Sequence, residues 1–372
     1  MRCVRTLLLL PVCLAATPIY RVVDLGGLGG GSSAATSINS RGVAAGWSVT
    51  GSQSLRAFLS DGSFPVSLDS PSYQGRAMGI NDAGAVAGIR FDAYGNAQAM
   101  MWAADGSVSV LGGADSYAMA INAGGAVAGA QSGHAVRFDP LGGTMDIGVN
   151  APWSAANAIN DVGSVAGTAQ LSSGTFRAFT TRPSTGVVML GTLGGRSSYG
   201  QAINSAGWVA GGSTTARGYL HAFLQANGRM QDLGTLGGGN SSAYGVNDAG
   251  QVVGYSQIAG GDSSAFLWEN GQLRDLNQLI AADTGWRLLE ASAINASGQI
   301  VGFGSFGGEQ RAFRLDRFAE TAAQSFLVAD AMDPGPGAAV PEPNGAGQLL
   351  AVGAVGIVFG GFRRRWFAGY FN

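Results

Sequence analysis

Cysteine, histidine and charge are all scarce in this chain of 372 residues, and each shortage removes a class of function. The two cysteines, Cys3 and Cys13, both fall inside the first apolar stretch, so the rest of the chain has neither a disulfide framework nor a thiolate metal cluster. The two histidines, His134 and His221, form no H-E-x-x-H motif, no metal-spaced cluster and no Ser-His-Asp order. Only 12% of residues are charged, and 21 basic against 23 acidic residues give a net charge of −2. That balance leaves no basic excess to neutralise phosphates, so nucleic acid is excluded as a partner. The body also lacks helical periodicity. Glycine and apolar residues are abundant: 62 glycines and 46% hydrophobic residues, a composition that argues for a packed chain rather than a disordered one.

The clearest pattern is Ile/Val-Asn-x-x-Gly. It occurs at Asn39, Asn81, Asn122, Asn160, Asn204, Asn247 and Asn295, with steps of 42, 41, 38, 44, 43 and 48 residues. A period of about 40–45 residues points to a propeller or a solenoid. Each copy offers four strand signals. Strand A ends at Ile-Asn, strand B reads Gly-x-Val-x-Gly, strand C holds Ala-Phe, and strand D leads to Asp-Leu-Gly. Ala-Phe stands at Phe58, Phe179, Phe223, Phe266 and Phe313, and degrades to Ala99-Met100 and Ala135-Val136. Four strands at this period make a propeller blade.

Six C–D hairpins serve seven C strands, and the last C strand (311–315) has no partner after it. Conversely, Tyr20 to Gly26 reads as a D strand with no blade before it. A ring resolves both facts. The fold expected is all-β, a seven-bladed β-propeller of four-stranded repeats over 19–316, closed by its N-terminal strand, which removes open edges. A linear stack is the alternative, but it would need end caps that are not evident. The third repeat has a shortened B–C connection, and Ile280 to Trp286 is an insertion between D and A. In a ring, the D–A and B–C connections share one face, and the shorter A–B and C–D turns share the other. The first face, rich in Ser, Gly, Asn and Tyr, is where binding is expected.

Outside the repeats, residues 1–16 read as a signal peptide: Arg2 and Arg5, the apolar run 7–14, then Ala15-Ala16. Cys13 as a lipid-attachment site is a minor alternative. A short helix is expected over 316–331, followed by a Pro/Gly linker to 340. Then come Pro341-Glu342-Pro343, an apolar membrane segment at 348–362, Arg363-Arg364-Arg365 and a tail, 366–372. About 15 residues at about 1.5 Å each fall short of the roughly 30 Å hydrocarbon core, and the arginines favour a cytoplasmic C-terminus.

These motifs carry two resemblances. Asp232-Leu233-Gly234-Thr235-Leu236-Gly237-Gly238, the Val246-Asn247 repeat and His221-Ala222-Phe223-Leu224 resemble the extracellular HAF-repeat family, across nearly the whole body. The third repeat departs, with Ala135-Val136 for Ala-Phe. This resemblance implies export and no particular activity. The C-terminal order of Pro341, Glu342, Pro343, apolar segment and Arg363, Arg364, Arg365 is similar to PEP-CTERM sorting signals. That implies an exosortase as processing partner in a Gram-negative inner membrane, cleavage near the Pro-Glu-Pro motif, and delivery to the cell surface or outside, commonly alongside exopolysaccharide. Residues 366–372 extend beyond the usual end of such signals.

Little in the body suggests catalysis, and no catalytic, cofactor or metal residue is assigned. His134 and His221 occupy a slot before Ala in strand C that holds Arg56, Gln98, Arg177, Ser264 and Arg311 in the other copies, which marks it as structural. The Gly runs at 26–31, 194–195 and 237–239 follow a strand without opening a helix, so they read as D–A crossovers rather than phosphate loops. Asp24, Asp146, Asp232 and Asp275 read as turn caps. Trp47, Tyr199, Tyr219, Tyr244 and Tyr255 are placed in or near the binding-face connections, as sugar-stacking candidates or as packing between blades. The function expected is a non-enzymatic scaffold or binding module of the envelope or matrix, with exopolysaccharide or envelope proteins as partners. A secreted carbohydrate-active enzyme, and an adhesin or spacer without a specific ligand, are the alternatives.

Overall fold

The repeat folds outward from its asparagine. In each copy the Asn ends a strand, and the Gly three residues on takes a left-handed φ, as at Gly42 (80°) and Gly207 (77°). The Gly207 N–H donates to the Asn204 carbonyl at 3.0 Å, and the Asn204 N–H to the Trp208 carbonyl at 3.1 Å. The resulting hairpin joins strand A to strand B, and alternating small and apolar residues extend both.

The computed structural model describes residues 19–318, except 70–71, 140–141 and 183–185. They form seven antiparallel four-stranded blades. The innermost strands are Gly29–Ile38, Gln74–Ile80, Ser116–Ile121, Trp153–Ile159, Gly194–Ile203, Gly237–Val246 and Trp286–Ile294, for blades one to seven. Six blades take their strands consecutively. The seventh pairs Trp286–Ile294, Ile300–Phe306 and Glu309–Arg317, and its outer strand is Tyr20–Asp24, from the other end of the chain. Tyr20 lies opposite Arg317, Val22 opposite Leu315 and Asp24 opposite Phe313. The chain is therefore a β-propeller sealed by its N-terminal strand, as the unmatched strands required.

Blade packing explains the rest of the repeat. Phe58, Phe179, Phe223, Phe266 and Phe313 are fully buried between blades. In blades two and three Met100 and Val136 take this place. Trp102 and Phe138, two residues on and thus on the same strand face, restore the lost ring volume. Opposite the ring lies the second Gly of strand B (Gly88, Gly129, Gly167, Gly211, Gly254). A Cβ there would meet the ring of Trp102, Phe138, Phe179, Phe223 or Phe266, and would collide with a carbonyl oxygen of strand A. Strand A carries a register shift beside this point in every blade, as between Ala118 and Ala120. These glycines answer a need for space rather than for an unusual φ.

Three expectations change. The B–C connections are not long loops. Strands B and C run on to tips of two to five residues, with Ser48 opposite Arg56 and Ser256 opposite Ser264, because backbone pairing accepts the Ser- and Gly-rich sequence. The Gly runs are not simple crossovers either. Gly29, Gly194 and Gly237 open ten-residue A strands, pairing with Thr50, Thr215 and Ile258. Finally, Asp316 and Arg317 are strand, not the start of a helix, because Arg21 and Tyr20 pair with them. The remainder of that helix, the signal peptide, the linker and the whole sorting signal with its tail lie outside the described residues. Among the described residues no helix is long and apolar enough to cross a membrane.

Asn204 is 4% exposed. Its Nδ2 donates to the Asn247 carbonyl at 3.1 Å, and its Oδ1 accepts the Trp208 N–H at 2.9 Å. Asn204→Ala should lower the unfolding free energy in urea by about 2–4 kcal/mol, the loss of two buried hydrogen bonds. Asn204→Asp, which keeps the acceptor but sets an anion against a carbonyl, should cost at least as much.

Candidate functional site

The polar slot of strand C is a structural fixture. Arg311 Nη2 reaches Asp24 at 2.9 Å, His221 Nδ1 reaches Asp232 at 2.9 Å, and the Ser264 hydroxyl donates to Asp275 at 2.6 Å. Each pair ties strand C to strand D. His134 is exposed in the same position. The four aspartates also cap turns. Asp24, Asp146 and Asp232 accept the N–H of Gly26, Gly148 and Gly234 at 2.7–2.8 Å, and Asp275 accepts that of Asn277 at 2.8 Å. Among the described residues, no three His, Cys, Asp or Glu side chains converge as a metal site would require.

The aromatic candidates divide. Trp47, Tyr244 and Tyr255 lie on inner strands: Arg76 sits over the Trp47 ring at 5.3 Å, and Tyr244 and Tyr255 stack at 6.0 Å. Tyr199 is also on an inner strand, Gly194–Ile203, but is partly exposed, and Tyr219 stands at the B–C tip of the same blade, 51% exposed. Tyr199 is one rung of a ladder that sequence reading did not assemble. Trp153 meets Phe176 edge-on at 6.3 Å, and Phe176 meets Tyr199 at 5.4 Å. The rungs come from strands A and C of blade four and strand A of blade five. The packing of blade five against blade four makes them adjacent, although 46 residues separate the first from the last (199 − 153). Trp286 and Phe306 stack at 4.9 Å on the same face of blade seven.

A cavity of about 330 Å³ lies on the opposite face, between blades six and seven, lined by Gln251, Glu269, Asn270, Ser297 and Arg317. Its carboxylate is already engaged. Glu269 accepts from Gln251 Nε2 at 2.8 Å, pairs with Arg274, and has Arg317 at 3.6 Å. The binding face expected from sequence and this cavity are therefore different places.

Glu290, on strand A of blade seven, is the one described carboxyl that burial displaces far from its ordinary range, from 4.5 up to about 8. Its charge raises the neighbouring Tyr244 and Tyr255 further, after burial itself; Tyr255 rises to about 12. At neutral pH Glu290 is a neutral acid between blades, able to donate a hydrogen bond. Because its folded pKa lies above its unfolded value, folding binds a proton between about pH 4.5 and 8. Stability should thus fall as pH rises through that window, by up to about 1.4 kcal/mol per unit. Urea unfolding at pH 5 and pH 8.5 should show this slope in the wild type, and Glu290→Gln should flatten it and be the more stable form at pH 8.5.

No family model matches the chain, and no curated protein sequence matches it. Among solved structures it is similar to TolB from Acinetobacter baumannii, at 12% identity and a TM-score of 0.44, over 74% of this chain and 64% of that one. It therefore spans less than two thirds of that protein's length. A gluconolactonase from Xanthomonas campestris is similar at 14% identity and a TM-score of 0.37, over 62% and 82% of the two chains. YCF48 bound to D1 peptide is similar at 12% and 0.42, over 81% and 97%. These likenesses concern backbone outline, at identities that carry no activity from one protein to another.

Proposed function

We propose that the protein is an exported, non-enzymatic propeller that serves as a scaffold and binding module of a bacterial envelope or extracellular matrix, in association with exopolysaccharide. The observation that carries this reading is where the polar side chains are used. His221, Ser264 and Arg311 lock strand C to the aspartates of strand D, and the asparagines tie each blade to the next. Groups that chemistry would need are engaged in holding the ring, while aromatic and arginine side chains crowd one face. The HAF-repeat resemblance of the body supports export.

The address rests on the sorting signal. Exosortase recognition of Pro341-Glu342-Pro343, an apolar segment arrested by Arg363 to Arg365, and cleavage near the motif would free the ring from the inner membrane. Replacing Pro341, Glu342 and Pro343 by alanine should leave a full-length chain in the inner membrane, seen by fractionation and mass; normal processing would refute the sorting. The host's own exopolysaccharide, incubated with the protein, should be retained without shortening. Shortened chains would show an enzyme instead.

A further inference from the structure

We infer that the D–A/B–C face of blades four and five is a binding site for an acidic polysaccharide, whose carboxylates meet Arg196 and Arg217 while its sugar rings lie along the Trp153–Phe176–Tyr199 ladder. The inference names the ligand class for the binding-module reading and rests on it. Charge is distributed unevenly around the ring. Between Ile147 and Gln231 the chain has five arginines (Arg177, Arg182, Arg196, Arg217 and Arg229) and one acid, Asp161. Asp161 sits on the other face, where its Oδ1 accepts the Ala123 N–H at 2.8 Å. Arg182 and Arg229 lie at C–D hairpins on that same other face, which leaves Arg177, Arg196 and Arg217 on the face of the ladder.

Several arginines elsewhere on the same face have carboxylates nearby. Arg311 pairs with Asp24 and Glu309, and Arg287 with Asp262. Arg56 and Arg90 both act on Asp69. Arg196 and Arg217 are exposed and form no ion pair among the described residues. A chain of formal charge −2 thus carries a local cationic field here, in which the carboxylate of a ligand is the missing partner. All 21 basic residues of the chain are arginine, whose planar fork takes a carboxylate by two parallel hydrogen bonds.

The local structure holds this arrangement in place. Arg177 donates to the Phe176 carbonyl at 2.9 Å and to the Arg196 carbonyl, and the Phe176 N–H donates to Ser197 Oγ at 3.2 Å. The start of strand A that bears Arg196 is therefore fastened onto the middle rung of the ladder. Arg217 lies at the tip beside it, since Gly194 faces Ala216. The ladder's rings already touch one another at 5.4 and 6.3 Å, leaving no slot for a nucleobase to enter. Their outer faces and edges remain half-exposed, a surface on which the C–H faces of a sugar can lie. Two unpaired arginines on an acidic ring also fall far short of the cation density of a nucleic-acid track.

The test uses the full chain in mild detergent, with polygalacturonate, neutral dextran and an oligothymidylate as probes, read by affinity electrophoresis and calorimetry. Polygalacturonate should bind, more weakly as salt rises, and dextran should not. Arg196→Ala/Arg217→Ala should weaken binding by about tenfold or more, about 1.4 kcal/mol, with an unchanged urea midpoint. Arg287→Ala, which removes an arginine already paired, should leave binding within about twofold. Equal loss in both variants, no loss in the double variant, or tighter binding of oligothymidylate would overturn the site. A protein that retains host exopolysaccharide yet ignores polygalacturonate would overturn the ligand class and leave the binding-module reading standing. Binding of polygalacturonate without retention of host polymer would uphold the site and remove the proposed association.

Discussion

Seven asparagines hydrogen-bonded head to tail close the molecule on itself. The Nδ2 of Asn39 donates to the carbonyl of Asn81, Asn81 to Asn122, Asn122 to Asn160, Asn160 to Asn204, Asn204 to Asn247, Asn247 to Asn295, and Asn295 back to Asn39, at 2.9–3.3 Å. Each Oδ1 meanwhile accepts the backbone N–H four residues on. One side chain shapes the hairpin of its own blade and anchors the next. Only an amide does both: aspartate lacks the donor, serine the reach, and glutamine places its amide one methylene too far out. Because each member is buried, a broken link leaves a polar group without its partner inside the protein, so the ring is satisfied throughout or not stable.

Closing a circle of blades raises a second problem, which the N-terminal strand solves. Seven independent blades would leave the last one bound to the first by side chains alone. Tyr20–Asp24 instead becomes the outer strand of blade seven, and the chain then passes directly into strand A of blade one. Further contacts reinforce the junction. The Ala312 N–H donates to Ser33 Oγ at 3.0 Å, and Arg311 meets Asp24 across it. The same Ser-to-Ala hydrogen bond joins other neighbouring blades, as Ala178 to Ser198 and Ala222 to Ser241. The seam is thus built like any other boundary, so the ring has no weak edge at which to open. Its cost is kinetic, since residues 20 and 317 must meet before the last blade is complete.

The repeat, its strand order and the closing strand were legible because each leaves a periodic mark: Asn at seven places, Gly three residues later, and one unmatched strand at each end. What was not legible involves contacts that periodicity does not record. Ser48, Thr50 and Ser256 look like loop residues by composition, yet they pair as strands because the neighbouring backbone offers complete partners. The replacement of a missing Phe by Trp102 or Phe138 shifts the aromatic by two positions, so a scan for Ala-Phe finds only a degraded copy. The aspartate caps were visible from Asp-Leu-Gly alone, whereas their pairing with Arg311, His221 and Ser264 required the register between strands C and D. Trp153, Phe176 and Tyr199 were three isolated aromatics until the blades set them side by side.

That contrast bears on where function lies in such a ring. Requirements of the fold act on all seven blades alike, so residues that serve it recur. A residue that serves a ligand need appear once. The departures from the repeat are therefore the informative positions, and burial divides them. Arg76 over Trp47 and the buried Glu290 beside Tyr255 occupy equivalent points of strand A in blades two and seven, packed against strand B of the preceding blade. Ser242 in blade six touches the corresponding place at Gly212. Large residues thus meet large or small ones there as volume allows, and these departures tune packing and charge between blades. Arg196, Arg217 and Tyr219 break the pattern where solvent reaches them, in the one stretch nearly free of acids. Exposed arginines that form no ion pair among the described residues remain open to a partner from outside. This is the physical ground for placing recognition on blades four and five rather than in the polar cavity opposite, whose Glu269 and arginines already satisfy one another.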